Sequence, residues 1–473
     1  AAGGEPAGRK AVAHAFVGAT AALGRPIVLT SVTTAAGFLS FLSAEHEPVR
    51  HFGLFVALGI VIALALSFTL VPALAVLLPP RWVARRRPPA TAADAEEGAA
   101  ASPTIPSWAR ALVRRRRAVA LATGAAVVAL AAGAGRLRVQ DSWIDNFAAD
   151  SPLAVAEARA NEAFWGTYRL DVVLDAGVRD AFRRPEGVAV VEAVERAAAA
   201  APHVGGVVSH LLPYRLVAEA RGIGAPGGAL SDLDASELTR VSALVEMASL
   251  RIDLRWFLTP EGEAARLRLL VDDPDYARSR RLAAHLEREL GRLLARRDVA
   301  WHLSGDLPVA AATVETLVGD QLRSIGWTLV ALAVLLAGAL GSARRAAVLL
   351  APVVAAVAAV LGGMGWLGVP LGIATSTFAA LTLGIGVDFA IHLEAAFRRR
   401  RAAGAPPAEA VAGALAVAGR PLAWTTAVTA AGLAVLTLSA IPPNRHLAVL
   451  LAAGIVASWA AATTLLPALL APR

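Results

Sequence analysis

Runs of apolar residues that approach or exceed about 20 positions recur along this chain. About 20 is what an α-helix needs to cross roughly 30 Å of hydrocarbon. We read eight such runs, at residues 26–43, 52–78, 118–134, 325–341, 346–368, 371–393, 421–440 and 447–470. The run at 118–134 is short, alanine-rich and the weakest of them. Those at 346–368 and 371–393 meet at a very short turn around Val369–Pro370, which makes them an antiparallel pair. Composition agrees with a membrane protein. Hydrophobic residues make up 56% of the chain and charged ones 17%, against about 45–50% and about 25% in soluble proteins. The predicted class is therefore a mostly α-helical polytopic membrane protein.

The net charge of +8 would suggest nucleic acid on a soluble body. Here the arginines stand in bursts beside the apolar runs, at Arg85–Arg87, Arg114–Arg117, Arg344–Arg345 and Arg398–Arg401. That placement suits the positive-inside rule, so no nucleic-acid partner is expected. With Arg81 to Arg117 in the cytoplasm, residues 137–323 lie outside, and every later burst returns to the same side. The absence of cysteine excludes disulfides and thiolate metal sites. The chain starts at Ala1 without a basic segment leading into a short apolar core, so it reads as beginning in mid-architecture.

Between the runs, two segments differ in kind. Residues 83–116 carry prolines, alanines and a small acidic cluster (Asp94, Glu96, Glu97) between basic ends, the pattern of a flexible cytoplasmic linker. Residues 137–323 intersperse charges with short apolar stretches. Strands are predicted at 169–174, 265–271 and 299–303, and helices at 187–201 and 275–296. Strand–helix–strand twice over predicts an α/β core of ferredoxin-like βαββαβ type, with helical insertions near 211–255. The expected divisions are 1–82, the linker 83–117, a span at 118–136, an external domain at 137–323 and a second membrane half at 324–473.

An internal repeat ties the two ends together. Gly24-Arg-Pro-Ile-Val-Leu-Thr30-Ser-Val-Thr-Thr34-Ala-Ala-Gly37 recurs at Gly419-Arg-Pro-Leu-Ala-Trp-Thr425-Thr-Ala-Val-Thr429-Ala-Ala-Gly432, an offset of 395 residues. The register holds without gaps to the end of the chain, where Pro72-Ala-Leu74 meets Pro467-Ala-Leu469. Both copies enter the membrane from the same side, which makes them parallel repeats. Carried backwards, the offset places a counterpart of the 371–393 span before Ala1, so an N-terminal half of the same protein is an expected partner.

The 371–393 run holds the chemistry: Gly384-Ile-Gly386-Val-Asp388-Phe-Ala-Ile-His392. A carboxylate inside an apolar span costs at least about 2.5–3.5 kcal/mol by insertion scales and marks ion or proton pathways. The competing role for Asp388 is a hydrogen bond to a neighbouring helix. Gly384 and Gly386 let another helix approach. His392, one turn below on the same face, is a candidate to pass protons on, with interfacial solvation as its alternative. Glu394 lies close to the arginine burst, where ion pairing is expected of it. Thr425 and Thr429 lie one turn apart, as do Thr30 and Thr34. They are candidates for a polar path to Asp388, against the ordinary habit of bonding their own backbone. There is no phosphate loop, no metal-ligand spacing and no nucleophile elbow. The expectation is a protein that is not an enzyme and uses no cofactor, with protons as its coupling ion.

These residues resemble a known family. Gly-Ile-Gly-Val-Asp388-Phe-Ala-Ile-His is similar to the fourth and tenth spans of the resistance–nodulation–division (RND) superfamily. The nearest branch is MMPL, together with related exporters that include hopanoid transporters. Gly24 to Phe38 followed by Phe52 to Gly59 resembles the fifth and sixth spans. Asp141-Ser-Trp-Ile-Asp-Asn-Phe147 resembles the start of the second external domain. The resemblance implies twelve spans in the whole protein, of which these are numbers five to twelve. It also implies proton-motive-force-driven export of a hydrophobic or lipid substrate from a bacterial inner membrane, with residues 137–323 periplasmic, Asp388 loading protons and homo-oligomers as a possible assembly. Phe389 stands where mycobacterial members carry tyrosine. Trp143, Phe147, Phe164 and Trp165 are candidates to hold substrate, with core packing as the competing role. The alternatives are a sterol-sensing receptor without transport and a SecDF-like translocation accessory.

Overall fold

The computed structural model describes residues 5–45, 47–78, 105–139, 143–247, 253–272, 275–372, 375 and 378–470. The acidic cluster of the linker, Asp94 to Glu97, lies outside them. By its internal contacts the chain divides into two units. One comprises Ala1–Arg138, Thr316–Ser439 and Pro443–Arg473; the other comprises Val139–Glu315 with Ala440–Pro442.

The first unit is helical. It opens with α1 (Glu5–Leu39), which a 3-10 turn at Ser40–Ser43 extends, and α2 (Glu47–Leu77). Next come α3 (Ser107–Arg114) and α4 (Arg116–Ala131), the latter prolonged by a 3-10 segment at Ala132–Arg136. The second unit, described below, contributes α5 to α9. The chain then runs through α10 (Asp306–Leu340), α11 (Ala343–Leu367), α12 (Phe378–Ala402), α13 (Pro407–Ala434) and α14 (Pro442–Leu470). Among the described residues eight helices are long and apolar enough to cross a membrane. They coincide with the eight runs read from the sequence, and the protein is a multi-pass membrane protein.

The helices outrun the apolar runs. At about 1.5 Å per residue the 35 residues of α10 span roughly 50 Å. Its N-terminal half carries Asp306, Glu315, Asp320 and Arg323, which hydropathy alone reads as loop. The burst Arg398–Arg401 is likewise helical, forming the last turns of α12. Residues 107–114, assigned to the flexible linker, form α3, which buries Ala109 and Val113. The connection after α11 is also longer than the expected turn. Gly368 caps α11 with φ +70°, and the Leu371 amide donates to the Arg138 carbonyl at 2.8 Å. Within the described residues, the long helix resumes at Phe378.

Small residues set the helix crossings. Across α4 and α11, Gly133, Gly362 and Gly365 touch the opposing backbone so closely that no Cβ fits. The weakest apolar run is held there, with the Trp366 indole donating to the Ala129 carbonyl at 3.0 Å and the Arg136 guanidinium 4.1 Å above the Trp366 ring. On α12, a Cβ at Gly386 would lie 2.6 Å from Ser458 Oγ of α14 and 2.6 Å from Val353 of α11. One turn away, a Cβ at Gly454 of α14 would lie 2.5 Å from Thr382 Oγ1. Each helix thus offers a glycine to the other's hydroxyl, which is how membrane helices approach without a hydrophobic driving force.

The second unit is a four-stranded antiparallel sheet with helices. Its elements are α5 (Pro152–Ala163), β1 (Tyr168–Asp175), α6 (Pro185–Ala199), β2 (Val204–Val208), α7 (Leu211–Arg221), α8 (Ala235–Met247), β3 (Ala264–Val271), α9 (Tyr276–Leu294) and β4 (Ala300–Ser304). The strand order is β2-β3-β1-β4. β3 alternates as its sequence does, with Ala265, Leu267, Leu269 and Val271 buried and Arg266 and Arg268 on the other face. The register pairs Asp171 with Arg268, whose guanidinium donates to both carboxylate oxygens at 3.0 and 3.1 Å. Leu282, Leu286, Leu290 and Leu294 of α9, four apart, form a single buried stripe. Leu170, Val172 and Leu174 of β1 belong to the same core as this stripe and the buried valines of α6. The insertion helices α7 and α8 fall where they were expected, within 211–255. The loop before α8 is tied down by Glu192 of α6, which accepts from the Leu230 amide at 2.8 Å and the Ser231 hydroxyl at 2.7 Å.

His210, just before α7, is fully buried against Tyr214 and shares a 3.2 Å hydrogen bond with the Phe182 carbonyl. Burial lowers its pKa from the ordinary 6.5 to about 4, so the folded unit holds a neutral ring. Its contribution is complete above pH 6.5 and is lost as pH falls from there toward 4, by at most roughly 3 kcal/mol. Hydrogen exchange over residues 168–304 should show faster opening at pH 5 than at pH 7, and His210→Phe should flatten that difference. An unchanged pH response in His210→Phe would show that another group governs it. In the membrane unit, Gly386→Ala should lower the thermal midpoint, with an overpacking cost of about 1–3 kcal/mol. Gly432→Ala, where a Cβ meets nothing within 4 Å, should leave the midpoint unchanged or raise it.

Candidate functional site

Asp388 lies near the middle of the 25 residues of α12. The helix presents two faces of different character. Thr382 and Gly386 share one and meet α14; Gly384 and Asp388, one turn apart, share the other and meet α1. The Asp388 side chain is half-buried, but its Oδ1 atom is enclosed and has no hydrogen-bond partner among the described residues. Beside the carboxylate stands Thr34 of α1, whose hydroxyl donates to the Gly384 carbonyl at 3.0 Å. One turn along α1, Gly37 closes the crossing: a Cβ there would sit 3.2 Å from Gly384 Cα. Glycine on both helices is what lets Thr34 reach the α12 backbone.

A ladder of polar side chains continues from this crossing between α1 and α10. Asp320, Ser324 and Thr328 recur every four residues of α10 and are completely buried. Ser40 Oγ lies 2.8 Å from Ser324 Oγ and 2.7 Å from Thr328 Oγ1. Thr328 Oγ1 also lies 3.5 Å from the Gly37 carbonyl. At the far end Asp320 accepts from the Glu45 amide at 2.8 Å. Arg323 pairs with Asp320 and, at 2.9 Å, with Glu45. Reading the sequence missed this ladder, because the fourth span was started at residue 325. The signal that would have found it is the Asp-x-x-x-Ser-x-x-x-Thr spacing at 320–328.

The residues singled out from the sequence are distributed as follows. His392 is half-buried one turn from Asp388, with Arg399 near it. The Glu394 side chain is 7% exposed and lies 3.8 Å from Arg398. Gly384 and Gly386 are both at helix crossings, on opposite faces. Thr425 and Thr429 are not joined to Asp388 by any hydrogen bond among the described residues. Thr425 is exposed and donates to the Pro421 carbonyl at 3.0 Å, while Thr429 is half-buried. The hydroxyl that stands beside Asp388 belongs to Thr34, in the other copy of the repeat. In the external unit, Phe164 and Trp165 are 66% and 65% exposed, so core packing is not their role. Trp165 also holds φ +62°, a conformation bulky residues rarely adopt. Phe147 is exposed too, and the Trp143 side chain lies outside the described residues.

Chemically, the site offers one carboxylate in mid-membrane, an adjacent hydroxyl and a hydroxyl ladder leading away from it. Such a set can hold and pass a proton. Among the described residues no group of three or more His, Asp or Glu side chains is placed to hold a metal ion.

Comparison with known proteins places this arrangement. The membrane protein MJ1562 of Methanocaldococcus jannaschii is 37% identical over 121 residues, which cover 26% of this chain and 31% of that protein. The hopanoid transporter HpnN of Burkholderia multivorans is 37% identical over 67 residues, 14% of this chain and 8% of that protein. The chain thus spans less than a third of the length of either curated relative. A crystal structure of a heavy metal efflux pump superposes with a TM-score of 0.54 at 14% identity, covering 96% of this chain and 59% of the pump; this likeness is one of fold. The model of the MMPL family matches residues 5–121 and 148–472, so nearly every element described above falls within it, and the chain belongs to the MMPL family.

Proposed function

We propose that this chain is part of a proton-driven secondary transporter that exports a hydrophobic or lipid substrate. The observation that carries the reading is Asp388: an enclosed, unpaired carboxylate oxygen in mid-span, beside Thr34 at a glycine crossing. Protonation removes a full charge from an apolar interior. It therefore favours whichever helix arrangement buries that position more completely, and deprotonation favours the more hydrated one. The α1–α12 crossing is the joint on which that difference acts. His392 lies on the cytoplasmic side of Asp388 and is proposed to pass the proton on. Of the four threonines that the sequence offers, Thr34 is the one proposed to take part in the relay.

The wider assignment has its own support. The strand order β2-β3-β1-β4, with α6 between β1 and β2 and α9 between β3 and β4, supports a ferredoxin-like porter domain. The single-sided arginine bursts support a periplasmic location for that domain and an inner-membrane location for the protein. A lipid-like substrate is supported by the hopanoid transporter among the relatives and by the exposed Phe164–Trp165 pair. No enzymatic step and no cofactor beyond the coupling proton form part of this proposal.

The test is flux in proteoliposomes made with the full-length gene product. Asp388→Asn should cut efflux driven by an imposed pH gradient by at least about tenfold, as removal of an intramembrane proton carrier requires. Asp388→Glu should retain part of it, and both variants should keep the wild-type thermal midpoint. Undiminished gradient-driven efflux in Asp388→Asn would overturn the assignment. Substrate binding without any flux that responds to the gradient would favour the sensor reading instead.

A further inference from the structure

A second site lies at the opposite end of α12 from its entry into the membrane. A cavity of about 390 Å³ opens between the last turns of α12, the stretch of α1 around Arg25, the end of α10 and the start of α11. Its size falls in the range of about 300–1,000 Å³ usual for small-molecule sites. One wall carries Arg25, Arg398 and Arg399, with Glu394 between. The other is apolar, formed by Leu29, Leu349 and Ile391.

The charged wall is built, not merely crowded. The Arg25 guanidinium donates to the Ala339 carbonyl at 2.8 Å, which fixes a long side chain in place. Glu394 is almost fully buried, lies 3.8 Å from Arg398, and is also within electrostatic reach of Arg345 and Arg25. Glu394 thus faces Arg398, Arg345 and Arg25, and this cluster is net positive. Arg400, by contrast, is packed onto Gly413 of α13 and stands away from the cavity. The positive-inside rule asks only that arginines end a span on one side. It does not ask that they converge on a buried glutamate beside an apolar wall.

We propose that this cavity binds the phosphate headgroup of an anionic phospholipid, with the start of its acyl chain along Leu29, Leu349 and Ile391. Guanidinium forks match phosphate oxygens in geometry and charge. Basic pockets between membrane helices on the arginine-rich side suit such headgroups. Inorganic phosphate offers the same chemistry to the charged wall but leaves the apolar one unused. A neutral lipid leaves the guanidiniums unanswered. The assignment stands independently of proton coupling at Asp388.

Native mass spectrometry on the purified 473-residue chain in neutral detergent tests it with three probes: phosphatidylglycerol, phosphatidylcholine and inorganic phosphate. Phosphatidylglycerol should bind, and Arg25→Gln with Arg398→Gln should weaken it by at least about tenfold, the scale of losing charge-assisted bonds. The charge-matched pair Arg344→Gln with Arg401→Gln, outside the cavity, should bind as wild type. Equal loss in both pairs would reduce the effect to general surface charge and overturn the site. So would equal binding of the two lipids. Phosphate binding that matches phosphatidylglycerol and disappears with Arg25 and Arg398 would overturn the lipid as occupant. Arg398→Gln alone carries the same comparison if the double variant does not purify folded.

Discussion

A carboxylate in the middle of a membrane helix has to be walled off from lipid tails, and the wall here is made where two helices touch through glycine. Water is absent from the hydrocarbon core, so each polar group there must find its partner inside the protein. Gly37 and Gly384 bring α1 and α12 close enough for Thr34 to bond the α12 backbone beside Asp388. On the reverse face of α12, Gly386 admits Ser458 and Gly454 admits Thr382. A helix with larger residues at these places would stand off from both neighbours and open Asp388 to lipid. The site therefore depends on what the glycines lack.

The polar ladder on α10 extends that logic along the membrane normal. Ser40, Ser324 and Thr328 satisfy one another across the α1–α10 crossing, and Asp320 is met by a backbone amide and Arg323. Buried polar networks are tolerated when their members are satisfied and costly when one is not. Asp388 Oδ1 has no such partner among the described residues, and neither do Gln321 Oε1 on α10 and Thr382 Oγ1 on α12. Asp320 is met on both sides, whereas Asp388 keeps one enclosed oxygen without a partner, and that contrast separates the two chemically. Asp388 was legible as a carboxylate inside an apolar run; Asp320 was not, because it lies before the run that starts at residue 325.

Much of this was legible from residues alone. Period and length gave the eight spans. Alternation gave β3, and a four-residue leucine stripe gave α9. What hydropathy could not give was where the helices end. Charged residues such as Asp320 and Arg323 fall in the external domain by hydropathy until a partner across the crossing is known, and Arg398–Arg401 lie beyond the 371–393 run although they continue α12. The 395-residue repeat speaks of similarity and not of contact. Two copies of one motif share a sequence, and each still has its own neighbours. Thr30, Thr34, Thr425 and Thr429 were all candidates by that motif, and Thr34 is the one that stands beside Asp388. Hydroxyl position follows helix crossing, and crossings are set by glycines far apart in sequence. From the sequence, Phe164 and Trp165 stand open between holding substrate and packing in the core. Aromatic residues are usually core, and only the left-handed turn at Trp165 shows that this pair is held outward.

α12 also joins two electrostatic regimes that the sequence runs together. Cations in its last turns are favoured by the helix dipole, which leaves partial negative charge on the final carbonyls. They are favoured again by the positive-inside rule. Those two effects account for the number of arginines at 398–401 but not for their sorting. Arg398 pairs with a buried glutamate, Arg400 packs on Gly413, and Arg401 bonds the Ala405 carbonyl at 2.7 Å. Arg25 reaches the same cavity from α1, the helix that supplies Thr34 to the mid-membrane site. The acid with one unpartnered oxygen and the cluster of bases thus sit on one helix and share one neighbour.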